Sequence, residues 1–323
     1  MVPNTLHRFL VDQERKYPEA TGELSELIQD IALAGKLIAK EVSKAGIGDI
    51  LGSAEKINVQ GEDVQKLDVF SNVVFIAALE HGGHLSAMAS EENEELISIP
   101  DTYPKGKYIV AFDPLDGSKN IDVSVSVGSI FSIRKRREGS TDPKSDFLRP
   151  GTEQVAAGYI VYGSNTMLVY TTGQGVHGFT LDPSIGEYIL SHPDMTFPET
   201  CTYYSVNHSR YTQWDSGTRT FVDWLRDESG ASSVQVNALM ADLHRNILKG
   251  GVHLYPSTTE KPKGKLRVLY ELHPLAMVVE QAGGMAVSGT TRMLDVAPHE
   301  LHERAPIVMG NKNIVEKYLS CIS

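Results

Sequence analysis

In the stretch TGELSELIQDIALAGKLIAKEVSKAG, the apolar residues Leu24, Leu27, Ile28, Ile31, Leu37, Ile38 and Val42 recur near a 3.6-residue period. That spacing predicts an amphipathic helix, with Thr21 at the N-cap and Gly46 at the stop. The next segment, GIGDILGSAEKINVQGEDVQK, is polar, punctuated by glycine and without a period of its own, and is expected to be a mobile loop. LDVFSNVVFIAALEHG restores a helical pattern. KYIVAFD and VSVSVGSIFSI are rich in β-branched and aromatic residues with partial alternation, which predicts strands. RKRREGSTDPKSDFLRPGTEQ is expected to be a solvated surface loop, and VAAGYIVYGSNTMLVYTTGQGVHGFTLDP a string of strands with glycine turns.

Prolines in SHPDMTFPETCTYYSVN break the pattern, so the chain is expected to divide into lobes 1–197 and 198–323. In the second lobe, SVQVNALMADLHRNILKGG predicts a helix closed by Gly250 and Gly251. HPLAMVVEQAGG predicts another, closed by Gly283 and Gly284. There is no internal repeat. Helices alternating with strands in this way point to a layered α/β (α+β) protein.

Composition narrows the function. The 323 residues are 41% hydrophobic and 22% charged, enough for a sizeable core. A net charge of −11 makes the chain a poor general binder of nucleic acid, so anionic ligands would need a local site or bound cations. Cys201 and Cys321 are the only cysteines, which excludes a disulfide framework and fits a cytoplasmic protein. The N-terminal MVPNTLHRFLVDQERK lacks the pattern of a signal peptide, and no apolar run approaches the ~20 residues of a membrane span.

FDPLDGSKNID holds the densest candidate chemistry. Asp113 ends an apolar strand, Pro114 fixes a turn, and Asp116 follows three residues on. With the Leu115 carbonyl between them, two carboxylates facing one cavity are an oxygen donor set suited to Mg²⁺ or Mn²⁺. Asp-Pro and Asp-Gly are also common turn dipeptides, so the stretch alone fits an ordinary turn equally well. Glu91 and Glu92 in MASEENEEL fit a solvated acidic face, and Asp68 in KLDVFSN fits a helix cap. Glu271, in RVLYELHP, is expected at the end of an apolar strand, where a lone charge is unfavourable. Carboxylates converging on one cavity would need a cation, and one left off the cation could serve as general base.

FDPLDGSKNID, the upstream Glu-Glu pair and the downstream glutamate before a helix ending A-G-G resemble the magnesium-dependent, lithium-sensitive sugar-phosphatase superfamily. The strings TGEL, KLDV, SEE, GKYIVAFDPLDGS, MADLHRN, GGVHLYP, GKLRVLYE and LHERAPIVMG together resemble the class I fructose-1,6-bisphosphatase family, from near Thr5 to near the C-terminus. The resemblance implies an αβαβα sandwich and a homotetramer that removes the 1-phosphate of fructose 1,6-bisphosphate in gluconeogenesis by attack of a metal-activated water. It implies metal ligation by Glu91, Glu92, Asp113, the Leu115 carbonyl, Asp116 and Glu271, with Asp68 and Glu92 taking the proton. Asp116, Gly117, Ser118 and Lys119 would hold the 1-phosphate. Asn207, Tyr255 and Lys265 would hold the 6-phosphate and sugar. Glu62 would support catalysis from a loop. An inhibitory AMP pocket is implied at Thr21, Gly22, Glu23, Leu24 and Ser25, with Lys107, Tyr108 and Lys135, the last standing where an arginine is usual.

One departure concerns the far phosphate. Where the family carries an arginine-tyrosine pair ahead of MADLHRN, this chain has Val234 and Gln235, and Arg210 is the candidate replacement. The departure also leaves open a bisphosphatase acting on sedoheptulose 1,7-bisphosphate. A non-catalytic nucleotide-responsive protein is the alternative of another class, and so many mutually repelling carboxylates weigh against it.

Overall fold

In the computed structural model, which describes residues 3–45, 47, 53–57 and 63–322, the long apolar runs become the strands of two sheets. Glu62 and most of the glycine-punctuated segment lie outside the described residues. Within that segment, β1 (Ser53–Ile57) and β2 (Asp63–Gln65) pair as an antiparallel hairpin. Helices α1 (Leu6–Glu14), α2 (Glu23–Val42) and α3 (Lys66–Leu79) cover one face of an eight-stranded sheet. Its strands are β3 (Leu85–Ser90), β4 (Ile97–Ser98), β5 (Tyr108–Asp116), β6 (Val127–Lys135), β7 (Gln154–Tyr162), β8 (Thr166–Thr171), β9 (His177–Asp182) and β10 (Glu187–His192). They lie in the order β10-β9-β8-β7-β6-β5-β3-β4, antiparallel except for the parallel pair β3 and β5.

Strand β7 shows why its sequence is almost unbroken in apolarity. Ala156, Ile160 and Tyr162 join the core under α1 to α3, and Ala157, Tyr159 and Val161 face the other way into a second core. A strand buried on both faces loses the polar half of the alternation.

The basic run departs from expectation. Arg134 is buried, donating from Nη1 to the carbonyls of Arg149 (2.8 Å) and Pro150 (3.0 Å), with Nη2 2.8 Å from His273 Nδ1. Arg149 is also buried and pairs with Glu153 at 2.6 Å, after the short helix α4 (Pro143–Phe147). Buried guanidinium groups persist where partners satisfy most of their donors: Arg134 uses both terminal nitrogens, with only Nε left unpaired, and Arg149 has Glu153 and backbone carbonyls.

The second sheet contains β11 (Tyr203–Ser205), β12 (Ser232–Ser233), β13 (Gly251–Tyr255), β15 (Met285–Ser288), β16 (Thr291–Arg292) and β18 (Ile307–Gly310), in the order β12-β11-β13-β18-β15-β16. β14 (Leu266–Arg267) and β17 (Arg304–Ala305) form a separate pair. Helices α5 (Ser216–Asp227) and α8 (Lys312–Ile322) cover its outer face, while α6 (Leu239–Lys249) and α7 (His273–Gln281) fill the space between the sheets. The result is the five-layer αβαβα stack.

Three local expectations are corrected. Gly22, at φ 81°, is the N-cap of α2 in place of Thr21, and it offers no side-chain cap. The helix containing MADLHRN starts at Leu239, because Asn237 has φ 62° and the Val236 amide donates to the Asp242 carboxylate at 3.0 Å. Glu271 does not end a strand. The strand stops at Arg267, and Glu271 sits in a single π-helical turn, Val268–Leu272, that leads into α7.

Candidate active site

Strands β3 and β5 run parallel side by side, so their carboxyl ends open on the same edge of the sheet. Such an edge is where open α/β sheets bind ligands. β3 ends at Ser90, and Glu91 and Glu92 follow, with the Glu91 amide tied to the Phe112 carbonyl at 3.0 Å. β5 ends on Asp113 to Asp116 with a bulge: Asp113 pairs with Ile130 and Asp116 with Gly128, so β5 carries one extra residue. The Ser129 hydroxyl donates to the Pro114 carbonyl at 2.7 Å, and the Leu115 amide to Asp113 Oδ1 at 3.0 Å. The bulge brings both aspartates to one cleft.

Asp68 enters from the first turn of α3. Its Oδ2 accepts the Gln65 amide at 2.9 Å in a capping box, and its buried Oδ1 has no hydrogen-bond partner. Thus the cap expected for Asp68 exists, and half of the carboxylate remains free. Glu271 Oε2 accepts the Arg267 amide at 2.5 Å. The Arg267 guanidinium pairs with Glu91 and lies 3.8 Å from Glu271 Oε2.

These groups line a cleft of about 480 Å³ with Leu115, Gly117, Ser118, Lys119, Tyr255 and Lys265. Asn120, Asn237, Lys261 and Arg267 line it too, although sequence reasoning did not select them. Asn207 and Arg210 lie outside the lining. Asn207 caps its own turn, accepting from the Ser209 amide at 3.1 Å and hydroxyl at 2.7 Å, and Arg210 pairs with Glu260 at 2.9 Å.

Six carboxylates face four cationic side chains in this lining. Burial, then the charges of Glu91, Asp116 and Glu271, holds the Asp113 carboxyl well above the usual range. Burial pushes Asp68 and Asp116 up to about 6 and Glu271 to about 7. Glu92 rises to about 9, through burial and the charges of Glu91 and Asp68. Arg267 opposes the shifts of Glu92, Asp113, Asp116 and Glu271 without cancelling them. Ligand oxygens of Asp113, Asp116 and Glu271 lie within 4.8 Å of one another. An all-oxygen, buried and under-neutralised set of this kind fits a hard divalent cation.

A second cavity of about 350 Å³ lies at the start of α2. Thr21, Gly22, Leu24, Ser25, Lys107, Tyr108 and Lys135 all line it. Glu23 stands beside it, holding Lys107 Nζ at 2.9 Å, and Lys107 also donates to Thr21 Oγ1 at 3.2 Å. The Lys107 hydrogen bond holds the Glu23 carboxyl below its ordinary value. With no side-chain cap, the first amides of α2 remain available to an anion.

The five layers and the acidic cleft at the parallel sheet edge define a phosphatase of the sugar-phosphatase fold. Residues 4–193 match the family Fructose-1-6-bisphosphatase, N-terminal domain, and residues 197–323 match Fructose-1-6-bisphosphatase, C-terminal domain. The chain belongs to the fructose-1,6-bisphosphatase family. It is 51% identical over 316 residues to the class 1 fructose-1,6-bisphosphatase of Chlorobium luteolum, covering 95% of this chain and 94% of that one. It is 49% identical over 323 residues to the class 1 enzyme of Nitratidesulfovibrio vulgaris, covering 97% and 96%. Among solved structures it is similar to Leishmania major fructose-1,6-bisphosphatase in holo form, with TM-score 0.93 and 38% identity over 99% of both chains. The T-state structure of that enzyme gives 0.90 and 37% over the same shares.

Proposed function

We propose that the chain hydrolyses the 1-phosphate of fructose 1,6-bisphosphate, giving fructose 6-phosphate and inorganic phosphate. The convergence of Asp113, Asp116 and Glu271 oxygens within 4.8 Å, beside the Gly117 turn, carries this reading. Glu91, Glu92, Asp113, the Leu115 carbonyl, Asp116 and Glu271 would hold divalent cations, Mg²⁺ or Mn²⁺. When bound, these cations neutralise the carboxylates and stabilise charge on the transferring phosphoryl group and the leaving oxygen. Gly117, at φ 80°, turns the backbone into the short 3-10 helix Ser118–Val123, whose first amides and the Lys119 ammonium hold the 1-phosphate. The free Oδ1 of Asp68, with Glu92 beside it, receives the proton of the attacking water. The water oxygen forms the new bond to phosphorus as the bond to the sugar oxygen breaks; the sugar oxygen leaves with the bonding electron pair and takes its proton from solvent water. Tyr255 and Lys265, with Lys265 Nζ 5.5 Å above the Tyr255 ring, grip the sugar and the far phosphate.

The α2 cavity is read as an AMP site that inhibits the enzyme. The assembly is read as a homotetramer, because Leu33 and Leu37 of α2 and Val69, Phe70 and Val73 of α3 are exposed apolar residues on neighbouring helices. Both cysteines are free and no described helix is long and apolar enough to cross a membrane, which supports a cytoplasmic enzyme. Uncharged Val234 and Gln235 keep sedoheptulose 1,7-bisphosphate as a second substrate to be tested. Phosphate release from both bisphosphates with Mg²⁺, with and without AMP, tests the reading. Expected is turnover of fructose 1,6-bisphosphate to the 6-phosphate, suppressed by AMP. Absence of phosphate release from either substrate would overturn it.

A further inference from the structure

We propose that Lys261 is a specificity-determining contact for the phosphate that stays on the sugar, and that Arg210, Gln213 and Glu260 are positioning residues that hold it in place. The inference rests on the bisphosphatase reading above. A bisphosphate whose reacting end lies at the carboxylates must set its second dianion on cations elsewhere in the same cleft. Lys119, Lys261, Lys265 and Arg267 are the cationic side chains in the lining. Lys119 follows the Gly117 turn, at the reacting end. Arg267 is engaged by Glu91 and Glu271. Lys265, with its Nζ 5.5 Å from the centre of the Tyr255 ring, is already given to the sugar and the far phosphate, and supplies one cation for a dianion. Lys261 pairs with no carboxylate among the described residues, so its ammonium is available to a ligand.

The loop presenting Lys261 is held at several points. The Lys261 amide donates to Thr258 Oγ1 at 2.9 Å and to the Thr258 carbonyl at 3.1 Å. The Lys261 carbonyl accepts the Thr258 amide at 3.2 Å and the Gly264 amide at 3.0 Å. Next to it, Glu260 accepts from Arg210 Nη1 at 2.9 Å and Gln213 Nε2 at 2.8 Å, while the Thr259 amide donates to the Gln213 carbonyl at 3.1 Å. Arg210 and Glu260 are both exposed, and an exposed pair contributes little stability. Their value lies in fixing where Lys261 points. Val234 and Gln235 are neutral, and Arg210, paired with Glu260, lies outside the lining.

Steady-state kinetics of the full chain with Mg²⁺, on fructose 1,6-bisphosphate and on fructose 1-phosphate, test the assignment, because the second substrate lacks the distal phosphate. For Lys261→Gln, losing one charge-assisted contact should raise KM for the bisphosphate about tenfold and leave kcat within about twofold. KM for fructose 1-phosphate should not change, and Lys261→Arg should recover most of the loss. Glu260→Gln should raise the bisphosphate KM about threefold at unchanged Tm, and add nothing to Lys261→Gln. A bisphosphate KM that stays put, or rises equally on both substrates, overturns the role of Lys261. A Glu260→Gln effect that adds fully to Lys261→Gln overturns the positioning role. Wild-type protein releasing no phosphate from the bisphosphate would instead overturn the functional reading on which the inference stands.

Discussion

Asp68 and His253 are both buried polar groups, and burial moves them in opposite directions. Asp68 is raised to about 6, which leaves its free Oδ1 ionised at neutral pH and able to take a proton. Asp68→Asn should therefore lower kcat by about 10²–10⁴-fold with little change in KM, as seen by steady-state phosphate release. His253, on β13, has neither ring nitrogen hydrogen-bonded, and burial lowers it from 6.5 to about 4. The unfolded chain takes up a proton that the folded chain refuses. Stability is thus full above pH 6.5 and falls as the pH drops towards 4, by about 2 kcal/mol at pH 5 for this group. His253→Leu removes the penalty. Urea unfolding at pH 7 and pH 5 should show the stability gap between the two proteins shift by about that amount towards the variant, and an unchanged gap would contradict the account. Asp113 and Asp116 stood out in the sequence only as two close carboxylates that an ordinary turn explains equally well, and Glu91 and Glu92 as a solvated face; the family resemblance, not the local pattern, joined them with Asp68 and Glu271. The burial of Arg134 was not legible, because a sequence displays a charge and hides its partners, here two carbonyls and His273.

Elements place these residues. The parallel pairing of β3 with β5 puts two carboxyl ends on one edge, and the bulge in β5 turns both aspartates inward. Across the ladder from Asp116 is Gly128, where a Cβ would lie 2.4 Å from Met240 Cγ of α6 and 2.7 Å from the Ile160 carbonyl oxygen. The carbonyl belongs to β7 and cannot yield cheaply. Gly128→Ala should cost about 1–3 kcal/mol in chemical unfolding, and also reduce activity by displacing Asp116. Strands β5 to β9 were legible as apolar runs between glycine turns. The start of α6 was not, because the Val236–Asp242 hydrogen bond and the left-handed Asn237 override local helical periodicity. Nor was the π-helical turn holding Glu271, since VLYEL looks like the end of a strand.

At the scale of the molecule there are two cavities with different chemistry: an acidic cleft at the sheet edge and a mixed-charge pocket at the start of α2, lined by Glu14, Glu19, Lys107 and Lys135. The layered class could be read from the alternation of elements. The roles of Arg267 and Lys261 could not, because they depend on the β13–β14 connection folding across the cleft. The exposed Leu37 and Val73 are expected to be covered by other copies of the chain. Light scattering should give a tetramer for the wild type and a smaller species for Leu37→Glu combined with Val73→Glu, whereas an unchanged mass would contradict this use of the two helices. The central claim is that the convergent carboxylates bind the cations on which phosphate release depends. Asp113→Asn removes one of them and relieves repulsion in the absence of metal, so the variant should fold. Its release of phosphate from fructose 1,6-bisphosphate with Mg²⁺, measured beside the wild type, is the most direct test. The account predicts a loss of at least about a hundredfold, and full activity in a folded Asp113→Asn protein would contradict it.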